Sequence, residues 1–431
     1  MRLDDLLSTS IEPTNKGWPA DAGRLRLDEI GKQGWSLRHQ DLALPALVLR
    51  DAALRHNGRW MRRFIQREGV AFCPHGKTTM APQLFARQLE DGASGITVAT
   101  VQQMRVCRSH GVPRVLMANQ LVCRQSIREV LSALESDADF DFLCLVDSID
   151  GVRLLQQEIE AFDGSPTLQL LLEGGIEGKR TGCRSVPDGL NVARAVAEAP
   201  GLALRGVEGF EGVFGRDAKG KAADNVQNFL DFLVELAGSA AQEDLFAPGP
   251  VILSAGGSAH FDQVSKTFNA ANLGRETEII LRSGCYFSHD SGMYAAAFSD
   301  LDKRSPDLAD LGEGLRPAIE VWAYVQSRPE PGRLLATMGK RDVSFDSGLP
   351  VPERWFRPGH HDAPTPLPAG HVTVALNDQH AFLDIPEDSP LQVGDILTFG
   401  ISHPCTTFDK WQVIYVVDDD DQVIEGIKTF F

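Results

Sequence analysis

A lysine on the loop that follows a short apolar run is the first chemically suggestive feature of the chain. In Pro74-His75-Gly76-Lys77-Thr78-Thr79, after Val70–Cys73, Lys77 is placed to serve as an amine nucleophile. A lysine partly screened from water gives up its proton more readily, and the free amine attacks an aldehyde to form a Schiff base. From spacing alone a surface lysine on a loop remains the plainer alternative. Two glycine-rich turns lie much later, Ser254-Ala255-Gly256-Gly257-Ser258 and Arg282-Ser283-Gly284-Cys285-Tyr286. Backbone N–H groups with no side chain in the way can approach phosphate oxygens, and serine hydroxyls add donors. One Gly-Gly pair is commonly just a tight turn; two such turns ending consecutive strands read equally well as a phosphate cradle. The stretch Glu173-Gly174-Gly175-Ile176-Glu177-Gly178-Lys179-Arg180-Thr181-Gly182 looks like a nucleotide loop but fails as one. Glu173 stands where the first glycine belongs, and Arg180 where Ser or Thr must follow the lysine. Arg180 stays a candidate to fix an anionic oxygen with its rigid fork of donors. Finally, Ser402-His403-Pro404-Cys405 puts an imidazole and a sulfur two residues apart. On an extended strand both would point the same way and share a zinc-like ion, with water or substrate filling the remaining positions. A packed histidine beside a buried cysteine is the alternative. Asn377-Asp378-Gln379-His380 reads as either a turn or an outer partner of such a site.

These residues need a frame to hold them. Short β-branched or apolar runs alternate with helical stretches from about residue 51 to 310. The expected strands are Val70–Cys73, Ile96–Ala99, Arg114–Ala118, Phe142–Val146, Leu168–Leu172, Gly206–Phe210, Val251–Ser254 and Ile279–Arg282. Their spacing, roughly thirty residues, is that of a strand–loop–helix–loop unit, and eight such units fit a closed α/β barrel of the (β/α)8 type. Val101–His110 and Val152–Phe162 carry apolar residues at helical intervals, as outer-ring helices require. Active sites of such barrels lie at the C-terminal strand ends, where Lys77 and both glycine turns fall. Beyond Leu311 the pattern turns to β: Ala318–Gln326, His371–Leu376, Asp395–Phe399 and Gln412–Val417, with turns rich in Pro and Gly. Ala46–Arg50 would be a ninth strand for a barrel of eight. It is assigned instead to a second, mostly β domain built from 1–50 plus 311–431. Arg357–Ala369 is expected to be an exposed loop and Asp418–Asp421 a solvated acidic turn.

Composition narrows the function classes. Fifty-nine acidic against 42 basic side chains leave a formal net charge of −17, which repels a polyanion and argues against nucleic acid as a partner. The opening stretch has no continuous apolar segment, and no uncharged run approaches bilayer length, so the expectation is a cytoplasmic protein with no membrane partner. The seven cysteines form no CxxC pair and are expected to be reduced, most of them small buried hydrophobes.

Taken in order, His75-Gly76-Lys77-Thr78, Arg180-Thr181-Gly182, Gly256-Gly257-Ser258, Ser283-Gly284-Cys285-Tyr286, Asp378-Gln379-His380 and His403-Pro404-Cys405 resemble the fold-type III pyridoxal-phosphate enzymes. Within these the chain is similar to the D-serine dehydratase and D-threonine aldolase family, over about Leu44 to Val417. The resemblance implies an alanine racemase-like architecture, with Lys77 carrying pyridoxal 5'-phosphate and acting as the catalytic amine. It places His75, Arg180, Gly256, Gly257, Ser258, Ser283, Gly284, Cys285 and Tyr286 around that cofactor, Arg180 at its phenolic oxygen and the glycine turns at its phosphate. It gives His403 and Cys405 a divalent metal, zinc first, with manganese or magnesium as alternatives. The implied reaction is dehydration of a D-3-hydroxy amino acid such as D-serine to pyruvate and ammonia, in a homodimer. Retro-aldol cleavage to glycine and an aldehyde, as in D-threonine aldolase, is the alternative, and a non-catalytic pyridoxal-phosphate carrier a second. Two positions depart from the family: Thr79 where many relatives have a second histidine, and Phe210 where they often have a tyrosine near the pyridine ring, which leaves the partner of the pyridine nitrogen open.

Overall fold

All eight apolar runs expected of the barrel are strands: Ala71–Phe72, Ile96–Val98, Arg114–Gln120, Asp141–Val146, Leu168–Gly174, Leu202–Gly209, Val251–Ala255 and Thr277–Leu281. The computed structural model describes residues 1–214 and 222–431. It divides into two units, a barrel unit of Arg62–Lys77 with Gln88–Gly284, and a β unit of Arg2–Met61, Thr78–Arg87 and Cys285–Phe431.

In the barrel unit the eight strands are parallel, each paired with its neighbour in chain order except that the first pairs with the eighth. The first and second strands meet through one parallel bridge, His75 with Thr97, where the Thr97 N–H donates to the Pro74 carbonyl at 2.9 Å. That bridge closes the ring and fixes the backbone two residues before Lys77. Cys73, Leu116, Leu143, Leu145, Leu171, Ile252 and Ile280 fill a core cluster, and strands buried on both faces account for the near-continuous apolar runs in the sequence. Several outer helices begin at a hydroxyl: Thr100 accepts from the Gln103 N–H, Ser148 from Gly151 and Ser185 from Asp188. Each caps donors that the first helical turn otherwise leaves unpaired.

In the β unit Ala46–Arg50 lies between Ile319–Glu330, antiparallel, and Val413–Val417, parallel. The strand that an eight-stranded barrel had no room for is therefore central to this sheet. Its apolar side chains join Trp18, Leu27, Ile30, Trp322 and Tyr415 in the core. The segment Asp418–Asp421 corrects the sequence reading, because Asp421 is not solvated. It is 1% exposed, with a left-handed backbone (φ 61°). Its carboxylate accepts from Arg38 Nε at 2.7 Å and pairs with Arg50, which also bonds Glu320. A guanidinium drawn under a sheet needs a buried counter-charge, and the acidic turn folds inward to supply one. Asn377–His380 is a turn: the Asn377 N–H donates to the His380 carbonyl between two paired strands, Val372–Leu376 and Ala381–Asp384. Among the described residues no helix is long and apolar enough to cross a membrane.

One buried group makes stability depend on pH. Burial lowers the pKa of His289, 3% exposed, to about 4. The unfolded chain binds this proton near pH 6.5 and the folded chain only near 4, so stability present above 6.5 is lost as pH falls through that window, by about 3 kcal/mol. Urea unfolding at pH 7 and 4.5 should show a smaller acid loss for His289→Gln than for the wild type; equal losses would refute the assignment.

Candidate active site

The barrel half of the site is organised around His75. Its backbone is held from both sides, by the Thr97 bridge and by its own N–H donating to the Arg282 carbonyl at 3.1 Å. Its Nδ1 is buried without a hydrogen-bond partner. Burial holds the imidazole well below its usual pKa, and the positive charges of Lys77, Arg282 and Arg180 push it further down. His75 is therefore neutral, and three cations lie near enough to bias it. At the C-terminal strand ends Arg180 is placed to attract a ligand's anionic oxygen, whereas Arg282 is already ion-paired with Glu208.

Around that region the two glycine turns are tied together. Ser283 Oγ donates to the Gly257 carbonyl at 3.0 Å. Gly256 has φ +148°, and a Cβ there would lie 2.7 Å from the Arg282 nitrogen, so the close approach of the two turns demands glycine. The N–H groups of Gly256 and Gly257 donate to the fully buried Glu211 carboxylate at 3.0 and 2.6 Å. Arg282 in turn bonds Glu208, the Gly209 carbonyl and Ser254 Oγ. Burial lifts Glu208 to about 7 against the pull of that guanidinium. Arg180 projects from a turn pinned by Glu173, the residue that breaks the nucleotide-loop pattern. Glu173 accepts from Gln120 and from Thr181, the latter at 2.9 Å, while the Gly182 N–H donates to Asp147. The Arg180 guanidinium lies 5.0 Å from the Phe210 ring centroid. The ring that lacks the tyrosine hydroxyl thus still supports the arginine, by cation–π attraction.

These residues fit an aldehyde cofactor bearing phosphate and a phenolate: an amine on Lys77, an unpaired His75 Nδ1, and cationic Arg180 and Arg282. A phosphate at the Gly256–Gly257 turn would share or displace the Glu211 carboxylate, since both compete for the same two N–H groups.

In the β unit, His403 and Cys405 do converge, but not by strand alternation. Pro404 is helical (φ −58°, ψ −44°) and starts a short helix, Cys405–Phe408. The sequence reading of an extended strand is corrected there: the proline sets up a turn, and the turn brings imidazole and sulfur together. His403 Nδ1 bonds Asp346 Oδ2 at 2.7 Å, and Asp346 Oδ1 accepts from Thr406 at 3.0 Å. The hydrogen bond to Cys405, with help from Asp346, raises His403 to about 9 despite burial. Cys405 is held well below the usual thiol range, first by a hydrogen bond from Cys285 and then by His403 and Thr78. Thr78 Oγ1 is 3.3 Å from Cys405 Sγ. A thiolate beside an imidazole whose other nitrogen is fixed by a carboxylate is a donor pair suited to a divalent ion. Among the described residues no group of three His, Cys, Asp or Glu side chains is disposed to hold a metal, so remaining positions would fall to water or substrate. Asp346→Asn should weaken metal binding about 10- to 100-fold, read by competition with a chelator, while cofactor content is unchanged.

Glu208, Glu211, Arg282, Thr78 and Asp346 all escape a sequence reading. Arg282 and Thr78 lie inside quoted motifs that assign them no role, which is a weak signal. Asp346, 57 residues before its histidine, gives none. Tyr286 is buried and packs on Phe287 at 5.7 Å between ring centroids.

The barrel and its sheet companion define an alanine racemase-like fold, and the comparisons agree. A family model described as alanine racemase, N-terminal domain matches residues 50–274, and one described as putative serine dehydratase domain matches residues 318–417. The chain belongs to the alanine racemase N-terminal domain family. It is 25% identical to a D-threonine aldolase of Arthrobacter sp over 89% of its own length and 90% of that protein. A crystal structure of D-threonine aldolase from Filomicrobium marinum superposes with a TM-score of 0.73 at 22% identity, covering 92% of this chain and 97% of the other. D-threo-3-hydroxyaspartate dehydratase from Delftia sp. HT23 gives 0.69 at 18% identity, covering 92% and 99%. Two variants of a dehydratase of that name are also similar. One has a histidine replaced by alanine; the other, altered two positions further on at a cysteine, is in a metal-free form.

Proposed function

We propose that the protein is a pyridoxal-phosphate- and metal-dependent lyase that dehydrates a D-3-hydroxy amino acid, D-serine in the simplest case, to a 2-oxo acid and ammonia. The observation that carries this reading is the His403–Cys405 pair braced by Asp346. Its support from relatives is the dehydratase whose mutated histidine and cysteine share this two-residue spacing. Pyridoxal phosphate, when bound, supplies a sink for the electron pair left by the departing α-proton. Lys77 provides the amine that holds the cofactor and, once released, takes that proton. Arg180 binds an anionic oxygen, Arg282 stays paired with Glu208 beside it, and neutral His75 offers its unpaired Nδ1 without adding charge. His403 and Cys405 would hold a divalent ion, which as a Lewis acid would ease loss of the β-hydroxyl, since hydroxide is a poor leaving group at neutral pH. Asp346 keeps the His403 ring turned to that task. Zinc suits an imidazole and a thiolate better than magnesium does.

Retro-aldol cleavage uses the same parts with the base on the β-hydroxyl, and the resemblance to the Arthrobacter aldolase favours it as the second reading. Product identification separates the two. From D-serine and D-threonine, the zinc-supplemented protein should release pyruvate and 2-oxobutyrate with ammonia. Glycine and acetaldehyde from D-threonine would make it an aldolase, and no product from either would leave a carrier. In the same reading the working form is a homodimer; full activity in a monomer isolated by sedimentation would refute that.

A further inference from the structure

The β unit also sets a second sulfur, which the lyase chemistry does not use, against that of Cys405. Cys285 and Cys405 are 120 residues apart in sequence, yet their Sγ atoms lie 3.5 Å from each other, with neither in a disulfide. A disulfide is about 2.05 Å long, so about 1.5 Å must close. Thr78 Oγ1 touches both sulfurs, at 3.3 Å from Cys405 and 3.8 Å from Cys285. Cys285 is 3% exposed, whereas Cys405 is only partly buried, so a small oxidant reaches Cys405 first. Other cysteines have different partners: Cys73 bonds Ser94, and Cys183 donates to the Asp147 carbonyl.

We propose that Cys285 and Cys405 are a peroxide-responsive thiol pair, closing to an intramolecular disulfide that removes the sulfur ligand from His403. In the first step the Cys405 sulfur attacks hydrogen peroxide, the O–O bond breaks, and a sulfenic acid and one water result. Cys285 then attacks the sulfenic sulfur; the S–S bond forms, the S–O bond breaks, and the Cys285 proton leaves with the hydroxyl as a second water. Two thiols are oxidised and one peroxide is reduced to two waters. A dithiol reductant reverses the change. Metal and disulfide compete for one sulfur, so oxidation state and metal content are linked.

The test treats the full-length chain, stripped of metal by a chelator, with hydrogen peroxide and maps its peptides without reduction. A Cys285–Cys405 cross-link is expected, with loss of two of the seven titratable thiols. Zinc affinity should fall at least about tenfold and return with dithiothreitol. In Cys285→Ser the same dose should leave Cys405 with added oxygen that dithiothreitol does not remove. If that variant does not fold, Cys405→Ser serves, with Cys285 expected to remain a free thiol. Sulfinic acid at Cys405 in the wild type without a cross-link, or a cross-link to another cysteine or another chain, overturns the proposal. The cross-link is read by mass and does not depend on the lyase reading, which stands or falls on its own products.

Discussion

Lys77→Ala is expected to lower turnover of D-serine by about 10⁴-fold or more, because one side chain both holds the cofactor and moves the α-proton. Lys77→Arg should be as inactive: it restores the charge beside His75 but offers neither a nucleophile nor a base near neutral pH. Borohydride reduction followed by peptide mapping supplies a readout independent of turnover. It should fix pyridoxal to the peptide containing residue 77 in the wild type and to no peptide in either variant. Fixation at another lysine, or substantial activity in Lys77→Ala, would remove Lys77 from the chemistry. The backbone of the barrel should tolerate both changes, since His75 N–H, Thr97 and Arg282 hold the loop through main-chain bonds.

The second large effect is expected at the metal pair. Cys405→Ala should keep its pyridoxal phosphate, lose its metal and lose about 10³-fold in turnover, the scale of several kcal/mol of Lewis-acid assistance to a departing hydroxide. Chelation of the wild type should reproduce that loss, and added zinc should restore the wild type but not the variant. Full activity after verified metal removal would defeat the role given to His403 and Cys405. The Asp346→Asn variant should fall between the two, because it keeps both ligands and loses only the brace on the imidazole.

Much of the frame is legible from local pattern. Buried parallel strands read as near-continuous apolar runs, so Leu168–Gly174 and Val251–Ala255 stand out, and counting eight of them pushes Ala46–Arg50 into the other sheet. The residue types that do chemistry are legible too: an amine after the first strand, glycines where two turns approach closely, and an imidazole two residues from a sulfur. Partners are a different matter. Asp421 looks like surface from its acidic neighbours, and only the arrival of Arg38 and Arg50 draws it inside.

The sequence by itself determined the barrel strands, the order of the motifs and the candidate groups, because hydrophobic burial and turn formation depend on residues near one another in the chain. Tertiary structure alone decided that Glu208 pairs with Arg282, that Glu211 occupies the Gly256 and Gly257 amides, that Asp346 orients His403, and that Cys285 lies against Cys405. The physical reason is that a buried charge or thiol takes its properties from whichever distant segment is packed against it. Desolvation and a contact of a few ångströms set its protonation, and neither is encoded in spacing along the chain.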